Sequence, residues 1–386
     1  MTSRRALAIL FLIVFIDLVG FGMVIPVMPL YAERLGASAA WIGLLSTLYS
    51  AMQFVFAPVW GRFSDRVGRR PVLLVSIVAT SIAFAIYGFA DSFAVLLVSR
   101  AFAGAATANI AIAQAYVADV TAPEDRAKGM GLIGAAFGLG FVLGPAIGGI
   151  LSSYSLRLPG YAAAGLAAMN GVAAFFLLPE PAQRAARAVR RASLAAFRSE
   201  LTKPGIRRLL LCYFLTILAF SAMEGTYSLL AKHRMGFGQR GVSYLFTYIG
   251  VLIVIVQGGL VGPLTRKFGE KRLLVVGLAL QAIALASLGV VTGLPGFLAA
   301  TAPLAIGSGL SSPAITALIS RHSAKDDQGG TLGLGQSAAA MGRILGPEAG
   351  TFTFSSLSPA FPYAAGALVM AVASAIGFTV RPARDV

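Results

Sequence analysis

The chain has 386 residues, of which 57% are hydrophobic and only 12% are charged, and its formal net charge is +16. A soluble domain is roughly 45–50% apolar and about 25% charged, so no soluble fold buries this many apolar side chains. The basic excess does not indicate nucleic-acid binding, because no soluble, aromatic-rich basic region accompanies it. The composition predicts an integral membrane protein.

Twelve apolar stretches follow one another along the chain, and we number them spans 1 to 12. A membrane-spanning helix needs about 20 apolar residues, and no alternating pattern of a barrel strand appears. The predicted fold class is therefore all-α, with twelve transmembrane helices. The predicted spans are residues 6–30, 39–60, 71–90, 93–118, 127–153, 160–178, 207–231, 241–262, 272–291, 294–318, 329–353 and 360–380.

Span 1 contains one acid, Asp17, inside the run LIVFIDLVGFGMVIP. An acid at the centre of a membrane helix costs about 2.5–3.5 kcal/mol. Removal from water disfavours the charged form of a carboxyl, so that a proton can bind and leave. We expect Asp17 to be an exchangeable-proton or cation site. The alternative is a structural hydrogen bond to a neighbouring helix.

The loop between spans 2 and 3 reads GRFSDRVGRRPVLL. Glycine allows helices to approach closely, an acid fits a helix N-terminus, and arginines bind carboxylates or lipid phosphates. This spacing predicts a conformational latch that breaks when the cytoplasmic side opens, with simple anchoring by positive charge as the alternative. Its residues are Gly61, Asp65, Arg66, Gly68, Arg69 and Arg70.

Spans 4 and 5 carry two further features. Arg100 is a cation inside span 4, where charge is costly, and a fixed ion pair would offset that cost. In span 5 the run GLGFVLGPAIGG allows tight packing and a bend. We expect a hinge or leak-tight seam here, formed by Gly138, Gly144, Pro145, Gly148 and Gly149.

A long polar stretch from Glu180 to Arg208 separates six spans from six. It predicts an N-terminal six-helix bundle of residues 1–179, a cytoplasmic linker of residues 180–206 and a C-terminal six-helix bundle of residues 207–386. The halves share a pattern. GPLTRKFGEKRLLV after span 8 aligns with the loop between spans 2 and 3, and MGRILGPEAG in span 11 aligns with the glycine run of span 5. Parallel repeats are typical of transporters whose halves move against each other.

Glu224 in span 7 is a second buried acid, in the span equivalent to span 1. It binds a cationic substrate, shares proton coupling with Asp17, or pairs with an interior arginine. Buried amides and aromatic side chains orient ligands in cavities, although an amide also serves to link two helices. The candidate substrate-binding residues are Asp17, Gln53, Asn109, Gln114, Glu224, Tyr227, Phe246, Gln257 and Gln336.

The distribution of Lys and Arg residues predicts the orientation of the chain in the membrane. If the N-terminus lies inside the cell, most of the 31 Lys and Arg residues fall on the inner loops and at the chain ends. Positive charge is enriched on the cytoplasmic side of membrane proteins. We therefore expect a multi-pass protein with both termini in the cytoplasm, and the Ala-, Arg- and Gly-rich composition suggests a bacterial inner membrane.

These motifs resemble those of the major facilitator superfamily, in particular its twelve-helix drug/proton antiporter branch. The loop between spans 2 and 3 is similar to the family's loop signature, RAFAG with Arg100 and Gly104 to its span 4 motif, and the glycine run of span 5 to its antiporter motif. Asp17 with the glycines and prolines after it resembles the first helix of tetracycline-efflux-like proteins. The resemblance implies two pseudo-symmetric six-helix bundles. It also implies that Arg100 acts on an acid during the cycle, and that Glu224 binds a cation or a proton.

The combined prediction is a secondary active transporter: a proton-coupled antiporter that exports small, partly hydrophobic drugs or related compounds, cationic ones among them, by alternating access. The sequence has no nucleotide-binding loop and no paired metal-ligand cluster, so we expect neither an enzyme nor a cofactor. The expected partners are a small-molecule substrate, protons and the lipid bilayer, and the expected state is a monomer. Two alternatives remain: a proton-coupled transporter of a sugar or other polar metabolite, and a non-transporting membrane receptor or scaffold.

Overall fold

The computed structural model describes residues 3–107, 109–121, 126–180, 203–322 and 328–380, and every regular element in these ranges is a helix. The predicted all-α fold class is confirmed. Spans 2, 3, 5, 6, 7, 10, 11 and 12 are one helix each: Ala39–Val67, Arg69–Phe89, Arg126–Ser152, Leu158–Leu177, Pro204–Met235, Leu294–His322, Gln328–Ser356 and Phe361–Thr379.

The helices have the length and composition needed to cross a membrane. Within the described part of the chain, eight helical stretches are long and apolar enough to do so. One of them, Arg240–Val290, is 51 residues long and contains spans 8 and 9. Shorter apolar helices occur at Phe93–Ala106 in span 4 and at Val142–Ser152 in span 5.

Span 1 is interrupted near its C-terminal end. Its first helix is Ser3–Val24, and a second, short helix is Met28–Arg34. The continuous helix predicted over residues 6–30 is therefore wrong at residues 25–27. Pro26 lies in the interruption and Pro29 in the first turn of the second helix. Proline explains the break because it removes a helical hydrogen bond and clashes with the preceding turn.

Span 4 is also two helices, Phe93–Ala106 and Asn109–Val120, instead of the single helix predicted over residues 93–118. The backbone leaves helical geometry at Thr107, with φ of −77° and ψ of 95°. Side chains from neighbouring spans bind the carbonyls before the break. Trp60 Nε1 donates to Ala105 O at 2.6 Å, and Ser76 Oγ donates to Ala106 O at 2.6 Å. These bonds satisfy buried acceptors that a continuous helix would have used, and Asn109 begins the second helix.

Spans 8 and 9 are joined without an irregular loop. Helix Gln239–Ile255 continues through a π-helical turn, Val256–Leu260, into helix Val261–Val290, which also contains span 9. The chain changes direction at Gly269, where φ is 75°. At the aligned position between spans 2 and 3, Gly68 has φ of 121°. Both repeats therefore use glycine where the backbone adopts an angle that other residues rarely tolerate.

The chain divides into two compact units. The first consists of Met1–Ser38, Leu44–Ala186 and Phe237–Gly250, and the second of Ala39–Gly43, Arg187–Gly236 and Val251–Val386. The first residues of spans 2 and 8 are thus grouped away from the rest of their predicted bundles. The bundle boundaries predicted at residues 179 and 207 stay a prediction, and linker residues 181–202 lie outside the described residues.

Spans 1 and 5, in the first unit, meet through their backbones. A Cβ atom added to Gly144 would lie 2.7 Å from both Gly22 Cα and Val19 O. A Cβ atom added to Gly140 would lie 2.6 Å from Leu18 Cβ. Close approach of this kind requires small residues at the contact. We call this contact the first glycine seam.

The second unit has an equivalent contact between spans 7 and 11, the second glycine seam. A Cβ atom added to Gly346 would lie 2.6 Å from Leu218 O, and one added to Gly350 would come equally close to Ala222 O, at 2.5 Å. Gly342, Gly346 and Gly350 align with Gly140, Gly144 and Gly148 of span 5. The same three-glycine spacing therefore packs the equivalent pair of helices in each unit.

Candidate functional site

Asp17 is buried in the first unit with 6% of its surface exposed. Its neighbours along the helix, Ile13, Val14 and Leu18, belong to the apolar core of that unit. Asn109, which begins the second helix of span 4 and has 0% exposure, donates from Nδ2 to Asp17 Oδ1 at 2.9 Å. The structure therefore brings together two of the predicted site residues, an acid and an amide, in apolar surroundings.

A second buried amide anchors the same part of span 1. Asn170 of span 6 has 1% exposure and donates from Nδ2 to Ile13 O at 2.9 Å. Ile13 precedes Asp17 by one helical turn. The Oδ1 atoms of Asn109 and Asn170 are both buried, and neither has a hydrogen-bond partner in the part of the chain that the structure describes. Asn170 was missed from the sequence, although it is a lone amide in the apolar run AAGLAAMNGVAAFF.

Arg100 is buried in span 4 with 3% exposure. Its guanidinium carbon lies 4.4 Å from the centre of the Tyr49 ring, a cation–π contact, and its Nε atom has no hydrogen-bond partner among the described residues. The ion pairs of the described residues do not include Arg100, and Asp17 of the same unit does not contact it. Gly104, one turn later, allows this approach, because an added Cβ atom would collide with the Tyr49 backbone carbonyl.

Glu224 belongs to the second unit, on helix Pro204–Met235, and is partly buried. Arg343 of span 11 interacts electrostatically with it, and no hydrogen bond to its carboxyl is present among the described residues. The following residue, Gly225, faces Pro347 of span 11. A Cβ atom added to Gly225 would lie 3.4 Å from Pro347 Cα. A further acid on span 11, Glu348, has a buried Oε2 atom that also lacks a partner in the described ranges.

The other candidate substrate-binding residues are spread over both units. Tyr227 is fully buried and its hydroxyl is 2.8 Å from Thr301 Oγ1, while Phe246 has 8% exposure. Gln53 is partly buried, and Gln257 and Gln336 are exposed. Gln257 lies in the π-helical turn of span 8. The side chain of Gln114 lies outside the described residues. Substrate contact by these residues stays a prediction.

One of the predicted latch residues, Arg69, forms a polar network at the start of span 3. Arg69 Nε is 2.9 Å from Asp119 Oδ2 of span 4, and Arg69 also donates to Ser64 Oγ at 2.6 Å. Arg70 stacks over the Phe175 ring at 5.4 Å, and Arg66 is exposed. The side chain of Asp65 lies outside the described residues.

The close helix approach expected at Gly61 stays a prediction. A Cβ atom added to Gly61 would meet no described atom within 4 Å. Gly68 is the crowded glycine of this loop, because a Cβ atom there would lie 2.7 Å from Glu180 Oε1. The positive φ of Gly68 adds a second reason for glycine at that position.

Glu180 caps the helix that begins span 3. Its two carboxylate oxygens accept from the backbone N–H groups of Arg69 and Arg70, at 2.8 and 3.0 Å. The first N–H groups of a helix have no helical partner, and the positive end of the helix dipole favours a carboxylate there. The sequence showed Glu180 only as the start of a polar stretch, because a cap from a residue 111 positions away leaves no local signal.

We expect Glu180→Ala to lower the free energy of unfolding by about 1 kcal/mol, the usual effect of losing a helix cap. The measurement is the thermal unfolding midpoint of the purified protein in detergent. Glu180→Gln is the control, since it keeps one acceptor oxygen and should fall between Ala and the parent protein. Equal midpoints for all three proteins would contradict the capping role.

The second repeat contains a related ion pair with its charges exchanged. Alignment of Gly68 with Gly269 places Arg69 at the position of Glu270. Glu270 Oε1 is 2.7 Å from Arg321 NH2 at the end of span 10, whereas Arg69 pairs with an acid at the end of span 4. In the first unit the base is on span 3 and the acid is at the end of span 4. In the second unit the acid is on span 9 and the base is at the end of span 10.

The glycines predicted as a hinge or seam lie at close contacts. Gly144 and Gly148 belong to the first glycine seam, and Pro145 is buried inside the span 5 helix. An added Cβ atom on Gly149 would collide with Ser243, in the segment Phe237–Gly250 of the same unit. The surroundings of Gly138, which lies in the same helix, are outside what the structure describes. These contacts fit a packing role, and the hinge role stays a prediction.

A family model described as Major Facilitator Superfamily matches residues 10–267 and 254–386. The chain belongs to the major facilitator superfamily. Its relatives include the tetracycline resistance protein, class C, of Escherichia coli, which is 33% identical over 90% of this chain and 89% of that protein. Multidrug resistance protein 2 of Bacillus subtilis is 30% identical over 93% of this chain and 91% of that protein.

A solved structure of the same architecture is the human organic anion transporter MFSD10 (TETRAN). It has a TM-score of 0.78 and 25% identity, and the match covers 98% of this chain and 100% of that chain. Membership of this superfamily makes the chain a multi-pass membrane transporter of small molecules and not an enzyme. The resemblance read from the loop, span 4 and span 5 motifs is confirmed.

Proposed function

We propose that this chain is a proton-coupled antiporter that exports small, partly hydrophobic drugs by alternating access. The observation that carries the proposal is Asp17: a buried carboxyl whose described partner is one neutral amide, with no ion pair. The names of the relatives, tetracycline resistance and multidrug resistance, support drug export and hence a role in antibiotic resistance.

Asp17 and Glu224 are the proposed proton-coupling acids, one in each unit. Cargo entering from the cytoplasm displaces a proton, the two halves change their access, and a proton returns as the cargo leaves. A proton that moves inward through 100 mV supplies about 2.3 kcal/mol. An acid in an apolar core suits this exchange because its neutral form is tolerated there and its charged form is not.

Glu224 is the proposed contact for a basic group of the cargo. Its carboxyl has unused acceptor capacity, since no described hydrogen bond reaches it, and a carboxylate offers about four acceptor positions. The proposed arrangement also includes two six-helix bundles, residues 1–179 and 207–386, joined by a cytoplasmic linker. We further propose a bacterial inner-membrane location with both termini in the cytoplasm, a monomeric state, and a latch role for the loop between spans 2 and 3.

A second candidate is export of compounds that carry an acidic group. Arg100 favours it, because a buried guanidinium with a ring contact and no acid beside it in the described residues is costly unless an anion approaches. The structural relative named an organic anion transporter supports the same possibility. In this candidate the acidic group of the cargo approaches Arg100.

The test is transport by the full chain in proteoliposomes with an imposed pH gradient. Ethidium and tetracycline are the cationic and amphoteric probes, and fluorescein is the anionic probe. We expect gradient-dependent accumulation of ethidium or tetracycline that collapses when a protonophore is added. Accumulation of fluorescein alone would favour the second candidate, and no accumulation of any probe above protein-free vesicles would overturn both.

A further inference from the structure

The hydrogen bond between Asn109 and Asp17 has a feature that a simple structural link does not need. Asn109 Nδ2 donates to Asp17 Oδ1, while the Oδ1 atom of the same amide is buried and has no partner among the described residues. A buried acceptor without a donor costs free energy comparable to a lost hydrogen bond. The unused oxygen is therefore available to a hydrogen-bond donor that forms beside it.

A protonated Asp17 supplies that donor. A carboxylate only accepts hydrogen bonds, whereas a carboxylic acid donates one from its O–H, and an amide side chain both donates and accepts. Rotation of the Asn109 amide by half a turn exchanges its NH2 group and its oxygen. The rotated amide then accepts the O–H of the protonated acid.

We propose that Asn109 is the positioning residue for Asp17, donating to its carboxylate and, after rotation, accepting from its carboxylic acid, so that one side chain satisfies both protonation states. This inference rests on the proposed function, in which Asp17 exchanges a proton. Asn109 then acts through Asp17 and not by contact with cargo, which replaces the substrate-binding role predicted from the sequence.

The break in span 4 holds Asn109 in place for this task. The second helix of span 4 is described from Asn109 onward, two residues after Thr107, where the backbone leaves helical geometry. Trp60 and Ser76 bind the carbonyls of Ala105 and Ala106 and so stabilise the interrupted backbone. A backbone fixed by neighbouring spans keeps the amide within reach of Asp17, while its terminal dihedral is left to rotate.

Among the described residues, no ionisable side chain forms an ion pair with Asp17. Spans 4, 5 and 6 pack against span 1. In the described parts of these spans, Asn109 is the side chain that hydrogen-bonds the Asp17 carboxyl. The titratable side chains there are Arg100, Tyr116 and Asp119 on span 4 and Tyr161 on span 6, and Tyr116 donates instead to Pro179 O at 2.6 Å.

The experiment titrates the full-length protein in lipid, without cargo, by infrared absorption of protonated carboxyl groups. The Asp17→Asn difference spectrum identifies the Asp17 band. In Asn109→Leu we expect the pH of half-protonation to rise by about one unit, a tenfold change in proton affinity. The reason is that the lost bond to the charged carboxylate is stronger than the lost bond to the neutral acid. Asn109→Ser, which keeps a group that donates and accepts, should shift less.

Asn170→Leu is the matched control. It removes a buried amide that has the same unused oxygen and anchors span 1 one turn away, but it does not touch the carboxyl. We expect it to lower the thermal unfolding midpoint as Asn109→Leu does, while leaving the Asp17 titration unchanged. An unshifted titration in both Asn109 variants, or an equal shift in Asn170→Leu, would overturn the positioning role.

The same titration separates this inference from the proposed function. If Asp17→Asn removes no titrating band, Asp17 exchanges no proton and the proposed coupling fails with it. If the band is present but insensitive to Asn109, the coupling stands and the positioning role is wrong. An Asn109 variant that changes the KM for ethidium without shifting the cargo-free titration of Asp17 would contradict the positioning role. It would indicate instead that Asn109 contacts the substrate directly.

Discussion

Asp17→Asn is expected to reduce proton-driven export at least about 100-fold, the effect of losing a positioned proton-transfer group. Asparagine has the same shape as aspartate, and its side-chain oxygen still accepts the hydrogen bond from Asn109. The buried packing around the residue is therefore kept. An amide does not bind and release a proton in the physiological range, so the coupling alone is removed. The measurement is gradient-driven accumulation of ethidium or tetracycline in proteoliposomes.

The matched control for Asp17 is Glu33→Gln, the same chemical change at an exposed acid of the short helix Met28–Arg34. It should transport at the parent rate. The thermal unfolding midpoints of both variants should stay close to that of the parent protein. Undiminished uphill transport by Asp17→Asn would remove Asp17 from the mechanism, whatever the behaviour of Glu224.

Gly144→Ala is expected to prevent normal folding, with a loss of about 3 kcal/mol or more in the free energy of unfolding. The added Cβ atom would lie 2.7 Å from Gly22 Cα and from Val19 O, and both are backbone atoms. A side chain relieves such a clash by changing rotamer, but a helix backbone has to shift as a whole. The measurements are the yield of monodisperse protein in detergent and the thermal unfolding midpoint.

Two further variants test this expectation, one as a control and one at the equivalent contact of the second unit. Gly165→Ala in span 6 is the control, because an added Cβ atom there meets nothing described within 4 Å, and alanine is the better helix former. It should be neutral or slightly stabilising. Gly350→Ala in the second glycine seam should behave like Gly144→Ala, since its Cβ atom would lie 2.5 Å from Ala222 O. Equal stability of the Gly144 and Gly165 variants would contradict the backbone contact.

Composition and motif spacing predicted the fold class and the family, because both depend on features that lie close together in sequence. Apolar runs of about 20 residues define membrane helices, and the glycine run of span 5 marked a tight helix contact. The burial of Asp17 followed from its apolar surroundings in the run LIVFIDLVGFGMVIP. These predictions needed no knowledge of which helices are neighbours.

The contacts between distant residues were not predictable in the same way. Glu180 caps a helix that begins 111 residues earlier, and Asn109 meets an acid 92 residues away. The breaks in spans 1 and 4 were also missed. Span 4 contains no proline at its break, and its interruption depends on Trp60 and Ser76 from other spans. A hydropathy pattern records how apolar a segment is, but not whether its carbonyls have partners elsewhere.

The exchanged charges of the two ion pairs bear on how the chain assembles in the bilayer. Its two halves are similar, and their shared glycine spacing would let helices of one half associate with those of the other. If span 3 associated with span 10, Arg69 would meet Arg321, and if span 9 associated with span 4, Glu270 would meet Asp119. Like charges disfavour both mispairings. The opposite polarity of the two ion pairs therefore favours the association of helices within one half over their exchange between the halves.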